Sequence, residues 1–351
     1  MRILLTADPF LPVPPLLYGG IERVIDALVA GLRRKGHGVG LVAHPESTVA
    51  ADAFFPWPTL QPQQSQWRLD HLNNVRALFR AVRLFQPEVL HSFSRILYLS
   101  PFLLLRRPPM IMTFERPISF STTRWAHLLA GKALTFTCCS ADLCQKGQRA
   151  GGIWQPIHNF VELGTFTFRE HVPDHAPLVF LSRVERLKGA HTAMAIAKQA
   201  GRRLIIAGNH AESGPEEAYW RCEILPCLGR DGIEYIGPVN DAQKNALLGQ
   251  AAAMVVPIEW DEPFGIVFAE SLACGTPVIS TPRGALPEIV REGVDGFLIR
   301  SVEEGCLAVA KLAAVDRNNC RQRAETLFSE AVILDQYEAL YRRVAVAGRN
   351  V

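Results

Sequence analysis

The chain has 351 residues, of which 48% are hydrophobic and 20% charged, and a formal net charge of +3. That length suits about two globular domains, and so mild a charge gives no ground for a nucleic-acid partner. The eight cysteines form no CxxC pair and no zinc-like Cys/His cluster, so they read as reduced, mostly buried thiols of a cytoplasmic protein.

Short apolar runs alternate with amphipathic ones, the pattern of a parallel α/β sheet. RILLTA (2–7) predicts a first strand and ends too soon at Asp8 to be a secretory signal. A helix follows over 21–36, closed by Gly36, then strand GVGLVA (38–43) and a long helix over 67–85. EVLHSF (88–93), MIMTF (110–114) and LTFTCCS (134–140) predict further strands. YLSPFLLLRR (98–107) is apolar but broken by Pro101, and no stretch has the length of a membrane span. The alternation pauses over 159–177, a stretch without a clear period, and restarts with LVFLSRV (178–184). Strands over 204–208, 233–237, 253–257 and 277–281 follow, with helices between them. Two similar α/β halves around a linker result. Ligands of such sheets gather at the carboxyl ends of the strands, so two halves facing each other would make a cleft.

Three stretches carry chemistry. EPFGIVFAE (262–270) follows strand AMVVP and places Glu262 and Glu270 at either end of an apolar run. Pro263 suits a first helical turn, and the unpartnered N–H groups of such a turn, near Phe264 to Val267, favour an anion. Gly265 leaves room for close approach, and a carboxylate can accept two hydrogen bonds from adjacent hydroxyls. The pattern fits a diphosphate held between two hydroxyl-rich rings. The plainer alternative is a buried helix with one acid near its dipole and one in solvent. In SRVERLKG (182–189), Arg183 and Lys188 lie on a strand-to-helix loop, where two cations can neutralise a diphosphate or simply be solvated. In LLYGGIERV (16–24), Gly19 and Gly20 let backbone amides approach a phosphate, or make a plain turn. There is no G-x-G-x-x-G that fits, no Walker lysine loop and no D-x-D metal-diphosphate motif.

In order along the chain, YGGIERV, HNFVELGTF, FLSRVERLKG, LIIAGN, IEYIGPV and EPFGIVFAESLACGTPVISTPRGALPEIVREGVDGFLI resemble a family 4 glycosyltransferase, retaining and nucleotide-sugar dependent. The resemblance covers nearly the whole chain, and its E-x7-E motif, Glu262 and Glu270, is highly specific. It implies a GT-B fold of two Rossmann-like, doubly wound parallel-sheet domains facing a central cleft. The implied division is an acceptor domain over 1–160, a donor domain over 161–335, and a C-terminal helix over 336–351 crossing back onto the first domain.

The resemblance also implies roles. Glu270 would hold the ribose hydroxyls and Glu262 the donor sugar, with Phe264, Gly265, Ile266 and Val267 in backbone or close contact. Arg183 and Lys188 would stabilise the leaving diphosphate, with Gly19 and Gly20 approaching from the other domain. Fixed cations and helix amides would stabilise the departing charge more than the ground state, without a metal. No cofactor is expected beyond the nucleotide sugar as co-substrate, with UDP among the candidate nucleotides. One departure stands out. Many relatives carry T-x-H after the fourth strand of the first domain, where this chain has Thr113-Phe114-Glu115. Glu115 would take the histidine's place, and His91 at the end of a neighbouring strand is the other candidate to line the cleft.

The acceptor (a glycan, a lipid-linked molecule or a small molecule) is not legible. The helix over 67–85 interleaves Arg68, Arg76, Arg80 and Arg83 with Trp67, Leu69, Leu72, Leu78, Phe79 and Phe85. That suits peripheral contact with an anionic leaflet at the inner membrane face, or, more simply, a solvated basic face over an ordinary core stripe. AFFPWP (53–58) reads as an acceptor lip or a buried connection. Two competing functions remain: a nucleotide-sugar epimerase of the same fold, and a non-catalytic, bilobed sugar-nucleotide binding protein.

Overall fold

The computed structural model describes residues 1–15, 19–60 and 67–349, and the chain separates into two compact units. Unit 1 is 1–159 together with the chain from Ala331 onward, and unit 2 is Phe160–Glu330.

In unit 1 the elements run β1 Arg2–Thr6, α1 Gly20–Arg34, β2 Gly38–Ala43, β3 Ala53–Pro56, α2 Trp67–Phe85 and β4 Val89–Ser92. They continue with α3 Ser100–Leu105, β5 Met110–Phe114, α4 Phe120–Ala130, β6 Leu134–Cys138, α5 Ala141–Gln148 and β7 Ile153–Pro156. Unit 2 has β8 Leu178–Leu181, α6 Ala190–Gln199, β9 Leu204–Ala207, α7 Pro215–Tyr219, β10 Ile233–Gly237, α8 Asp241–Gln250 and β11 Ala253–Val256. After these come α9 Ile266–Ala273, β12 Val278–Ser280, α10 Leu286–Ile289, β13 Gly296–Leu298, α11 Val302–Ala310 and α12 Arg317–Leu327. The last helix, α13, spans Glu330–Arg349, so it opens ahead of residue 336, where the sequence places it, and returns the chain to unit 1.

Both sheets are parallel. Their orders are β3-β2-β1-β4-β5-β6-β7 and β10-β9-β8-β11-β12-β13. In each, the strand order reverses once, between β1 and β4 and between β8 and β11. Such a switch point opens a crevice at the carboxyl ends of its two strands. The central strands read as continuous apolar runs because helices cover both faces: Ile3, Leu4, Leu5, Met254 and Val255 are all fully buried.

Strand alternation explains a polar row inside unit 1. In β4, Leu90 joins the core under α2, α3 and α4, while His91 points to the other face. There His91 Nδ1 lies 2.7 Å from the Tyr341 hydroxyl of α13, its Nε2 lies 2.6 Å from Thr113 Oγ1, and Thr113 bonds Thr137. A row in which every member finds a partner satisfies groups whose burial is otherwise costly, and it fixes α13 against β4.

In unit 2, α12 performs the equivalent fixing. The buried Arg317 donates to Arg169 O at 2.6 Å, Ala251 O at 3.0 Å and Thr276 Oγ1 at 2.8 Å. One turn on, Arg321 donates to Ala273 O at 2.8 Å, placing a cation at the C-terminus of α9, where the helix dipole favours it.

Candidate functional site

The site in unit 2 is built on α9. Its eight residues, IVFAESLA, are apolar on nearly every side, and Phe268, Ala269, Ser271, Leu272 and Ala273 are buried. Gly265 caps the helix at φ 80°, a left-handed conformation that disfavours side chains. A Cβ there would lie 2.6 Å from the Phe268 ring and 3.1 Å from Glu262 Cγ. Gly265 is therefore required by the fold of the turn itself, where the sequence suggested space for a ligand. Phe264 is also a core residue, with its ring edge-on to Phe328 at 5.6 Å, so its side chain is spent on the core. Ile266 and Val267 open the helix half-buried.

Glu262 lies just before this turn, and two neighbouring loops hold it. Its carbonyl accepts from Ala285 N at 2.9 Å. Gly284 lies so close that a Cβ there would meet Glu262 O at 2.2 Å. From the turn between β8 and α6, Lys188 brings its Nζ to 2.5 Å from Glu262 Oε2, and the Trp260 indole N–H donates to the same oxygen at 3.0 Å. The Lys188 ammonium also stands 4.7 Å from the centre of the Trp260 ring. Both members of this ion pair are 9% exposed, so the fields around them are weakly screened. Arg183, by contrast, is exposed and turned to Glu185, with Nη1 to Oε1 at 2.5 Å.

Glu270 sits on α9 facing α8, where Lys244 Nζ is 2.6 Å from its Oε1. Lys244 also reaches Asp241 at 3.3 Å and stands 5.2 Å from the centre of the Phe166 ring. Neither acid of E-x7-E is an idle surface charge: each faces an ammonium. Sequence reasoning identified Lys188 but missed Lys244, Trp260 and Gly284. Nothing local marks Lys244, which looks like an ordinary surface base of an amphipathic helix; its role comes from the packing of α8 beside α9.

Unit 1 places charges at its own switch point. Gly19 and Gly20 begin α1, and Glu22 in the first turn is 3% exposed. The preceding Leu16 to Tyr18 of the predicted motif lie outside the described residues. Burial pushes the carboxyls of Asp8 and Glu22 up, with Arg116 near both. Arg95, after β4, has its Nε 4.0 Å from Asp8 Oδ2 and its Nη1 3.4 Å from His71 Nε2. Burial first, and then this guanidinium, hold the His71 imidazole below its ordinary value. Sequence reading passed over Asp8, Glu22, Arg95 and Arg116.

Glu115 ends β5. Its Oε2 accepts from Asn159 Nδ2 at 2.7 Å, the Cys139 thiol lies beside it, and its Oε1 is closed to solvent. Burial raises this carboxyl to about 7. His91 requires a correction. It has no exposed surface, both ring nitrogens are engaged within unit 1, and burial lowers it to about 3, so it is a neutral structural histidine that presents nothing to a ligand. AFFPWP also resolves: β3 is an edge strand, and Trp57 beyond it is buried with its indole N–H donating to Ala7 O at 2.9 Å.

Two doubly wound parallel sheets, one carrying paired acids and cations at its switch point, define a GT-B architecture. Solved structures agree on the fold. A sucrose-phosphate synthase from Thermosynechococcus elongatus superposes with a TM-score of 0.77 at 20% identity over 99% of both chains. An Anabaena protein, HepE, solved in complex with UDP and glucose, gives 0.72 at 19% over 98% of this chain and 100% of that one. A glycosyltransferase involved in avilamycin A biosynthesis gives 0.68 at 24% over 98% of each. Among curated proteins, D-inositol 3-phosphate glycosyltransferase of Mycobacterium tuberculosis is 32% identical over 180 residues, which is 48% of this chain and 38% of that protein. The chain thus matches well under half the length of that relative. The family model for Glycosyltransferase Family 4 matches residues 18–163, and that for Glycosyl transferases group 1 matches residues 168–325. The chain belongs to these glycosyltransferases, a transferase family of GT-B fold.

Proposed function

We propose that this protein moves a sugar from a nucleoside-diphosphate sugar to an acceptor hydroxyl, with retention of anomeric configuration and without a metal. The observation that carries the reading is the Lys188–Glu262 pair at 2.5 Å, set beside the N-terminus of α9. A diphosphate drawn to the α9 turn would compete with Glu262 for Lys188, leaving the acid available to donor-sugar hydroxyls. Glu270 would exchange Lys244 for the ribose hydroxyls in the same way. Arg183 would turn from Glu185 to the leaving group. As the bond from the anomeric carbon to the diphosphate breaks, negative charge grows on the leaving oxygen, and a cation already fixed in a water-poor site lowers that barrier most.

UDP is the first nucleotide to test, because a structural relative was solved with UDP and glucose. In this reading Glu115 stands where many relatives have histidine, held by Asn159. The proposed location is cytoplasmic, with peripheral contact at the inner membrane face. The test is a screen of UDP-, GDP- and ADP-sugars against glycan, lipid-linked and small-molecule acceptors, following both transfer and hydrolysis. Transfer with at least one donor supports the proposal. A rearranged sugar formed without any acceptor would assign the epimerase reaction instead.

A further inference from the structure

The outer face of unit 1 inverts the usual logic of an amphipathic helix. The buried stripe of α2 is His71, Asn74, Leu78 and Ala81, whereas Leu69, Leu72 and Phe79 are exposed at 52, 42 and 36%. The inward polar pair is satisfied: the Tyr98 hydroxyl lies 3.0 Å from His71 Nδ1 and accepts from Asn74 Nδ2 at 3.0 Å. The stripe that the simpler sequence reading assigned to the core therefore lies mostly in solvent.

It is not isolated. Phe79 stacks on Phe102 of α3 at 5.8 Å, and Arg106 at the end of α3 donates to Leu129 O of α4 at 3.1 Å, so the three helices present one continuous surface. On α3, Leu104 and Leu105 are 67 and 61% exposed; on α4, Trp125 and Leu128 are 66 and 57% exposed. Twelve of the twenty-one exposed large apolar side chains among the described residues lie between residues 67 and 129. So much contiguous apolar exposure marks an interaction surface.

Charge selects the partner. Residues 67–132 contain ten Lys or Arg against three Asp or Glu, one of which is the shielded Glu115. Arg76, Arg80 and Arg83 are exposed on α2, Arg106 and Arg107 follow α3, and Arg124 and Lys132 belong to and follow α4. A second copy of this chain meeting the same face about a two-fold axis would bring like charges together. A bilayer of anionic lipid instead offers phosphates to the bases and a hydrocarbon boundary to the apolar tips, with tryptophan at the level where it is favoured.

We propose that α2, α3 and α4 form a docking face for an anionic lipid bilayer, in which Trp125, Leu128, Leu104 and Leu105 enter the interface and the surrounding arginines pair with headgroups. This rests on the peripheral membrane contact proposed above and deepens it by assigning a surface and a lipid chemistry; it can fail while sugar transfer stands.

The test is cosedimentation of the full chain with phosphatidylcholine vesicles, with and without phosphatidylglycerol, at low and high salt. Binding should require phosphatidylglycerol and weaken with salt. Each base near the surface contributes about fivefold in affinity, so Arg80→Glu with Arg83→Glu should weaken binding at least about 25-fold. Trp125→Ser with Leu128→Ser should weaken it at least about tenfold. Both double variants alter exposed side chains and should keep the wild-type melting temperature. The proposal is overturned by no binding to either vesicle, by equal binding to both, by wild-type vesicle binding in both double variants, or by dimerisation through this face that Trp125→Ser abolishes.

Discussion

At the switch point of unit 2, Lys188 and Glu262 close to 2.5 Å and are 9% exposed; at that of unit 1, Asp8 and Arg95 stand 4.0 Å apart, with Arg95 about a third exposed. The topology is the same, with loops leaving the carboxyl ends of the two strands where the order reverses. The difference lies in how the charges are held. Glu262 is fixed by Lys188, Trp260, Ala285 and the close approach of Gly284, so its pocket is built before any ligand arrives. Asp8, Glu22, Arg95 and Arg116 form a looser set whose acids are partly desolvated. A tight pair suits a ligand group that never varies, such as the diphosphate proposed above. A loose cluster can change with the acceptor, which fits the silence of the sequence on that side.

Breaking the tight pair should have the largest effect. Lys188→Ala removes a preorganised cation from the leaving group and should lower turnover about 1,000-fold, or about 4 kcal/mol of transition-state stabilisation. It also strands the nearly buried Glu262 carboxylate, for a stability loss of about 3 kcal/mol, and adding Glu262→Gln should restore most of that stability but no activity. Steady-state rates and denaturant melts of the single and double variants check both parts. Equal destabilisation of the two variants would show that the pair is not coupled.

The Glu115 carboxyl sharpens the other side. Glu115 is raised from 4.5 to about 7 by burial. Between those values the native protein keeps a proton that the unfolded chain releases, so this group's contribution to stability falls as pH rises to about 7 and is constant beyond. Glu115→Gln preserves an acceptor for Asn159 and removes the titration. It should match wild type near pH 4 and exceed its stability at pH 8 by up to about 3 kcal/mol. Denaturant melts at the two pH values decide it. The same difference at both would place the carboxyl in a solvated environment.

How much of this the sequence carried depended on the kind of signal. The α9 site was legible because a strand, a Pro-Phe-Gly turn, an apolar helix and a closing Gly275 follow one another, and each has a local physical cause. Lys188 and Glu262 were each legible as site residues on loops at strand ends, but their direct pairing across 74 residues was not. Lys244 was not, since its partner is 26 residues away and only tertiary packing joins them. Helix α2 misled for a different reason. Two stripes of that helix have helical spacing, and periodicity cannot say which one faces inward. Tyr98, beneath α2, supplies the hydrogen-bond partner that makes the polar stripe the buried one. His91 misled because a histidine at a strand end looks available, whereas the alternation of β4 turns it towards Tyr341.

The central claim is that Glu270 receives the ribose of a nucleoside diphosphate after giving up Lys244. Its most direct test is titration of wild type and Glu270→Ala with UDP, GDP and ADP, read by calorimetry or melting temperature. The account predicts that one nucleotide stabilises the wild-type protein and that Glu270→Ala binds it about 10- to 30-fold more weakly, the loss of charge-assisted hydrogen bonds worth about 2 kcal/mol. Equal affinity in the two proteins, or no stabilisation of wild type by any of the three, would contradict it.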